Sequence, residues 1–111
     1  MDAERARELL ERERTRIEGE LGAADLRASL ESSDRKEPGD RSSEELYEDE
    51  LSEGRREQLQ AELAALARAE GRLAAGTYGL SVESGEPIPD ERLEAVPTAE
   101  RTVEEEARYR G

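Results

Sequence analysis

Two long runs of this chain repeat small or aliphatic residues every three or four positions, and one stretch rich in Ser, Asp, Pro and Gly separates them. That alternation of helical period and hard stop leaves few folds open. In the first run, from about Asp2 to Glu31, the residues Ala3, Ala6, Leu10, Ile17, Leu21 and Ala24 succeed one another at spacings of three, four or seven. They therefore share one seam of a helix, with Glu and Arg on the other faces. Glu8–Arg12 and Glu11–Arg14 have the spacing of supporting ion pairs, each worth about 0.2–0.5 kcal/mol. Gly19 and Gly22 weaken the run. The seam is thin, so this helix needs a partner.

The stop falls at Ser32–Ser43, where Pro38 and Gly39 end a helix and the hydroxyls and carboxylates suit turns and caps. Ser42 or Ser43 can cap the next helix, and Glu45 stands three residues after Ser42 for a capping box. The second run goes from about Glu44 to Ala75. Leu59, Leu63, Leu66, Glu70 and Leu73 alternate steps of four and three, a heptad seam with one charged member. Tyr47 and Leu51 drift off that stripe, Gly54 is a weak point, and Gly76 ends the helix. Two helices of similar length around one turn read as an antiparallel hairpin. Roughly 30 residues at about 1.5 Å each give an arm of about 45 Å.

Composition supports helices over a large compact core. Of the 111 residues 42% are charged and 33% hydrophobic, and Tyr47, Tyr78 and Tyr109 are the only aromatics. The net charge of −13 argues against phosphate surfaces and anionic membranes and for a partner with a basic groove or channel. The charge is uneven. From Ser32 to Glu53 nine acidic residues (Asp34, Glu37, Asp40, Glu44, Glu45, Glu48, Asp49, Glu50, Glu53) face three basic ones (Arg35, Lys36, Arg41), a net of −6 at the turn end. Cysteine and histidine are absent, which removes disulfides, thiolate nucleophiles, imidazole bases and nitrogen- or sulfur-ligated zinc. No apolar run has the length of a signal peptide or a membrane span, so the cytoplasm is the expected compartment. No nucleophile–base set or phosphate loop is visible, so the chain is not expected to be an enzyme.

The third part, residues 77–111, is different in kind. Pro87, Pro89 and Pro97 exclude a long helix between Gly85 and Pro97. Leu80, Val82, Ile88, Leu93 and Val96 are candidates for a small apolar cluster, and Thr102–Arg110 for a short closing helix. Ser81 and Ser84, then Thr102 and Glu105, form two pairs with two residues inside each pair and a long loop between them. This is the spacing of a four-cysteine zinc ribbon. Either it is coincidence, or the lobe has lost a metal and kept its shape.

Gly76-Thr77-Tyr78-Gly79, Gly85-Glu86-Pro87-Ile88-Pro89, Arg92-Leu93-Glu94-Ala95 and Pro97-Thr98-Ala99 occur in order. In these motifs the chain resembles the DksA/TraR proteins, closely over about the last forty residues and in architecture over the rest. The resemblance implies a mainly α fold: an antiparallel coiled-coil hairpin over residues 1–76 with its tip near 32–43. A small zinc-ribbon-like lobe and a C-terminal helix over 77–111 complete it. It also implies a monomeric transcription regulator that binds bacterial RNA polymerase and passes the hairpin tip into the secondary channel to modulate initiation. No direct nucleic-acid contact, membrane contact or cofactor is expected of it. Larger members carry a tip motif of Asp, two residues, Asp, one residue, Ala. Glu37-Pro38-Gly39-Asp40-Arg41-Ser42 looks like it, with Glu37, Asp40 and Ser42 at the three positions.

At the four cysteine positions of the family stand Ser81, Ser84, Thr102 and Glu105. Hydroxyls are poor zinc ligands and one carboxylate cannot hold the ion alone, so the lobe is expected to be metal-free. Structural zinc contributes on the order of 10 kcal/mol to such lobes, so compensation is required. Thr102 and Glu105 have capping-box spacing, and the Ser81 and Ser84 hydroxyls can bond Glu105 or nearby backbone. Packing of Leu80, Val82, Ile88, Leu93 and Val103 is expected to supply the rest. Two other functions fit the same arm. One is Gre-like assistance of transcript cleavage by an acidic tip; the other is a structural hairpin that self-associates through Leu59, Leu63, Leu66 and Leu73.

Overall fold

The computed structural model describes residues 1–34 and 43–111, so Glu37, Asp40 and Ser42 lie outside the described residues. Four helices come in order: α1 (Ala3–Asp34), α2 (Ser43–Ala75), α3 (Asp90–Ala95) and α4 (Val103–Arg110). No strand is present among the described residues; Leu80 and Pro87 form one isolated antiparallel bridge. The chain is a mainly α fold, a helical hairpin succeeded by a small irregular lobe and a short last helix. It divides into two compact units: Met1–Arg14 with Ala64–Gly111, and Thr15–Leu63.

In the unit Thr15–Leu63, the helices run antiparallel. Arg16 pairs with Glu62 at 3.4 Å, Glu20 with Arg55, and Asp25 with Arg56 at 2.8 Å, so the later residues of α1 meet the earlier residues of α2. All six side chains are partly exposed, and each pair contributes only about 0–1 kcal/mol. Ile17 and Leu59 are fully buried here and carry the seam. Gly19, Gly22 and Gly54 sit inside continuous helix.

The unit Met1–Arg14 with Ala64–Gly111 joins the open ends of both helices to the lobe. Ala6, Leu9 and Leu10 of α1 and Leu66 and Ala69 of α2 are buried. The seam differs from the sequence expectation at three places: Ala3 is exposed, and Leu9 and Ala69, absent from the expected stripes, are buried. A three-four stripe drifts around a straight helix, and Leu9 brings more apolar area to the interface than Ala3. The charged member of the α2 heptad also finds its reason. Glu70 takes both Arg14 Nε, at 3.2 Å, and Arg14 Nη2. A paired polar position in an apolar seam fixes register between two helices more than it adds stability.

α1 extends to Asp34, beyond the expected end at Glu31. α2 ends in a Schellman motif: Thr77 N–H donates to Arg72 O at 2.9 Å and Gly76 N–H to Leu73 O at 3.2 Å, with Gly76 at φ 79°. The chain then enters the lobe. Ile88, Leu93 and Ala99 form its core with Tyr78 packed against them, and Tyr78 donates its hydroxyl to Pro97 O at 2.7 Å. Leu80, Val82, Val96 and Val103, expected inside, are exposed at 38–59%. Alternation along so short a loop cannot tell inside from outside. The buried side is fixed instead by the bridge at Leu80–Pro87 and by Ile88 N–H donating to Gly79 O at 2.7 Å. Gly79 adopts φ 86°, the left-handed region that side chains resist.

Truncating Leu93 to Ala is expected to cost about 2–5 kcal/mol, as for a fully buried leucine. Val96→Ala, by contrast, should stay within about 0.5 kcal/mol, as at a surface site. Urea unfolding of the two variants checks this; equal losses would show that the core is drawn from the wrong residues.

Candidate functional site

The two residue pairs that the spacing singled out lie on two neighbouring segments of the lobe, linked by Val82 N–H to Glu100 O and by Arg101 to Glu83. After the bridge, Ser81 opens a tight turn. Its Oγ accepts from Glu83 N–H at 3.1 Å and Ser84 N–H at 3.2 Å, while its carbonyl accepts from Gly85 N–H at 3.0 Å. Gly85 closes the turn at φ 74°, and Ser84 Oγ accepts from Glu86 N–H at 3.2 Å. Ser and Gly suit this turn because a short hydroxyl folds back on the backbone and glycine takes the positive φ.

Thr102 and Glu105 start α4. Thr102 Oγ1 accepts from Glu105 N–H at 3.2 Å, and Glu105 Oε1 accepts from Thr102 N–H at 2.9 Å, a complete capping box. The serine turn is tied to this helix start by Val82 N–H donating to Glu100 O at 2.9 Å and by Arg101 Nε lying 3.4 Å from Glu83, and the Ser84 and Ser81 hydroxyls favour the charged form of Glu105. Ser81 and Glu105 are both buried, at 5% and 6% exposure. Their burial is tolerable because each polar group has partners: Ser81 Oγ accepts two backbone N–H groups, and Glu105 Oε1 accepts Thr102 N–H. With Thr102 N–H first, then Ser84 and Ser81, holding the charge, the Glu105 pKa falls to about 2.

A further network was not legible in the sequence. Arg101 lies with its guanidinium carbon 3.8 Å above the Tyr109 ring and its Nε 3.4 Å from Glu83, reaching both α4 and the serine turn. Arg92 Nε donates to Arg101 O at 2.9 Å, and Val82 N–H to Glu100 O at 2.9 Å. The lobe is held to the helix ends by Arg5, which donates to Glu94 through Nε at 2.8 Å and Nη2 at 2.6 Å, and by Arg68, which donates to Glu100 at 2.9 and 3.0 Å. No periodicity signals a pair as distant in sequence as Arg5 and Glu94. Glu94 does stand in the motif Arg92-Leu93-Glu94-Ala95, whose polar members this geometry now explains.

The family described as prokaryotic dksA/traR C4-type zinc finger matches residues 76–110, which are the end of α2, the lobe and α4. General stress protein 16O of Bacillus subtilis is 52% identical over 40 residues, 36% of this chain. That match spans about a quarter, 24%, of the relative's own length. The solved structure of transcription factor DksA2 from Pseudomonas aeruginosa superposes with a TM-score of 0.81 and 26% identity. It covers 97% of this chain and 82% of that one. A helical hairpin with a zinc-finger-like lobe that contains no thiolate defines the class of protein. Within that class, the chain is similar to the DksA/TraR proteins, in sequence over residues 76–110 and in fold over most of its length, and it has no cysteine.

The family description implies zinc, and the residues here do not fit it. Zinc takes thiolate, imidazole or carboxylate ligands. Of the four side chains three are hydroxyls, whose oxygens already accept backbone N–H groups. The single carboxylate already accepts Thr102 N–H, and one carboxylate cannot hold the ion alone. Among the described residues no group of three His, Cys, Asp or Glu side chains could hold a metal ion.

The depressed Glu105 pKa sets a pH dependence. A carboxyl that titrates near 4.5 when unfolded and near 2 when folded adds stability above pH 4.5, and that contribution disappears as pH falls toward 2. The gap in thermal midpoint between wild type and Glu105→Gln should therefore be widest near neutral pH and narrow between pH 4.5 and 2. A gap independent of pH would show that the ionised form is not what the cluster holds.

Proposed function

We propose that this protein is a non-enzymatic, monomeric regulator of bacterial RNA polymerase that acts in the cytoplasm by placing its hairpin tip in the secondary channel and altering initiation. The observation that most supports this reading is the likeness to transcription factor DksA2 over 97% of the chain, through both long helices and the lobe. The family match at residues 76–110 agrees with it. Among the described residues no helix is long and apolar enough to cross a membrane.

The charge distribution supplies the physical logic. The turn end between Ser32 and Glu53 carries a net −6, and a channel that admits divalent cations and nucleotides tolerates and attracts such an end. Glu37 and Asp40 are the acidic residues proposed to act there, with Ser42 at the third motif position. A division of labour results: residues 1–76 provide reach, and residues 77–111 provide the body from which the reach is measured. Arg5–Glu94 and Arg68–Glu100 fix that body to the two helix ends in one compact unit.

Transcription in vitro by a bacterial RNA polymerase, with and without the protein, tests the proposal. Wild type should change output from sensitive promoters, and Asp40→Asn, which keeps size and removes charge, should lose most of that change while still binding polymerase. Unchanged output with wild type, or no crosslink from position 40 to polymerase, would overturn the reading. Cleaved transcript in stalled complexes would instead favour the transcript-cleavage role.

A further inference from the structure

We infer that the lobe has exchanged a cation-centred structural site for an anion-centred one at the same place. The Glu105 carboxylate takes the central position, and the backbone still presents residues 81, 84, 102 and 105 to a common point. Three observations carry this. First, two separate segments, the Ser81–Gly85 turn and the start of α4, are joined by Val82 N–H donating to Glu100 O at 2.9 Å and by Arg101 Nε 3.4 Å from Glu83, with the Ser84 and Ser81 hydroxyls acting on the Glu105 carboxylate across that junction. Second, the turn is shaped independently of that carboxylate: Ser81 Oγ accepts two backbone N–H groups, and Gly85 N–H returns to Ser81 O. A thiolate at position 81 would meet the same N–H groups. Third, Ser81 and Glu105 are buried, so the junction is interior to the lobe.

The exchange reverses the electrostatics of the centre. A divalent ion gathers electron-pair donors, whereas a carboxylate gathers N–H and O–H groups. Serine supplies O–H where cysteine would supply a thiolate, and Thr102 supplies backbone N–H together with an N-cap oxygen. The four residues thus work as a set. One carboxylate among three thiolates, or three hydroxyls without the carboxylate, would satisfy neither arrangement. The lobe is accordingly indifferent to chelators, zinc shortage and thiol oxidants, because it has no thiol and, among the described residues, no group of three side chains that could hold a metal ion.

The experiment uses the full chain in four forms: wild type, Glu105→Gln, Glu105→Ala, and the quadruple variant Ser81→Cys, Ser84→Cys, Thr102→Cys, Glu105→Cys. Metal content after purification, and thermal midpoint with a chelator or with added zinc, are read on all four; Co(II) is titrated into the quadruple variant. Wild type should carry no stoichiometric metal and melt at the same temperature under both conditions. Both Glu105 variants should melt lower, Ala lower than Gln, with no rescue by zinc. The quadruple variant should bind one Co(II) with the intense thiolate charge-transfer absorption of a tetrahedral site, and its folding should require metal. Stoichiometric zinc in wild type, or a lower wild-type midpoint in chelator, would overturn the anion-centred site. A quadruple variant that is folded but takes no Co(II), or stays unfolded when metal is supplied, would overturn the retained geometry. These outcomes are separate from any transcription assay, so they stand or fall apart from the proposed function.

Discussion

A lone buried carboxylate tolerates its position only if donors face it, and Glu105 accepts the Thr102 N–H while the Ser84 and Ser81 hydroxyls favour its charged form. That requirement shapes the lobe. It pins the start of α4 to the serine turn, and the turn in turn carries the bridge at Leu80–Pro87 and the Val82–Glu100 hydrogen bond. The apolar core of Ile88, Leu93 and Ala99, with Tyr78 against it, is too small to order 35 residues alone. Hydrogen bonding to one charge does what a larger core or a metal does elsewhere, and it brings sensitivity to acid.

The two long helices face a related shortage. Few of their residues are buried, and the fully buried large ones, Leu10, Ile17, Leu59 and Leu66, are widely spaced. Ion pairs fill the intervals, but exposed pairs are worth little each. Their use is in selecting register, as Arg14–Glu70 shows within the hairpin seam and Arg16–Glu62 within the unit Thr15–Leu63. An arm of this kind uses little of its sequence for core and leaves most of it free for charge. The net negative charge is thereby concentrated in the stretch from Ser32 to Glu53.

Family likeness and local chemistry part company at Ser81, Ser84, Thr102 and Glu105. The match at residues 76–110 and the DksA2-like fold show that the architecture persists, while Ser81, Ser84, Thr102 and Glu105 show that its stabilising chemistry does not have to. What such a lobe requires is a strong interior point that joins two distant segments. A zinc tetrathiolate is one solution and a donor-wrapped carboxylate is another. Neither bears on the chemistry proposed at the other end of the hairpin.

The helical period, the Pro–Gly stop, the terminating Gly76 and the two spaced pairs all act through neighbours within a few positions. The sequence by itself therefore determined the two long helices, the capping box of α4, the absence of thiolate chemistry and the candidate identity of the lobe centre. Tertiary structure decided what depends on residues far apart in the chain. It buried Leu9 and exposed Ala3, chose Ala99 and Tyr78 over Leu80, Val82 and Val96 for the core, and paired Arg5 with Glu94 and Glu70 with Arg14. The reason is physical. Local spacing states which side chains share a face, but which face is dry depends on what the rest of the chain lays against it.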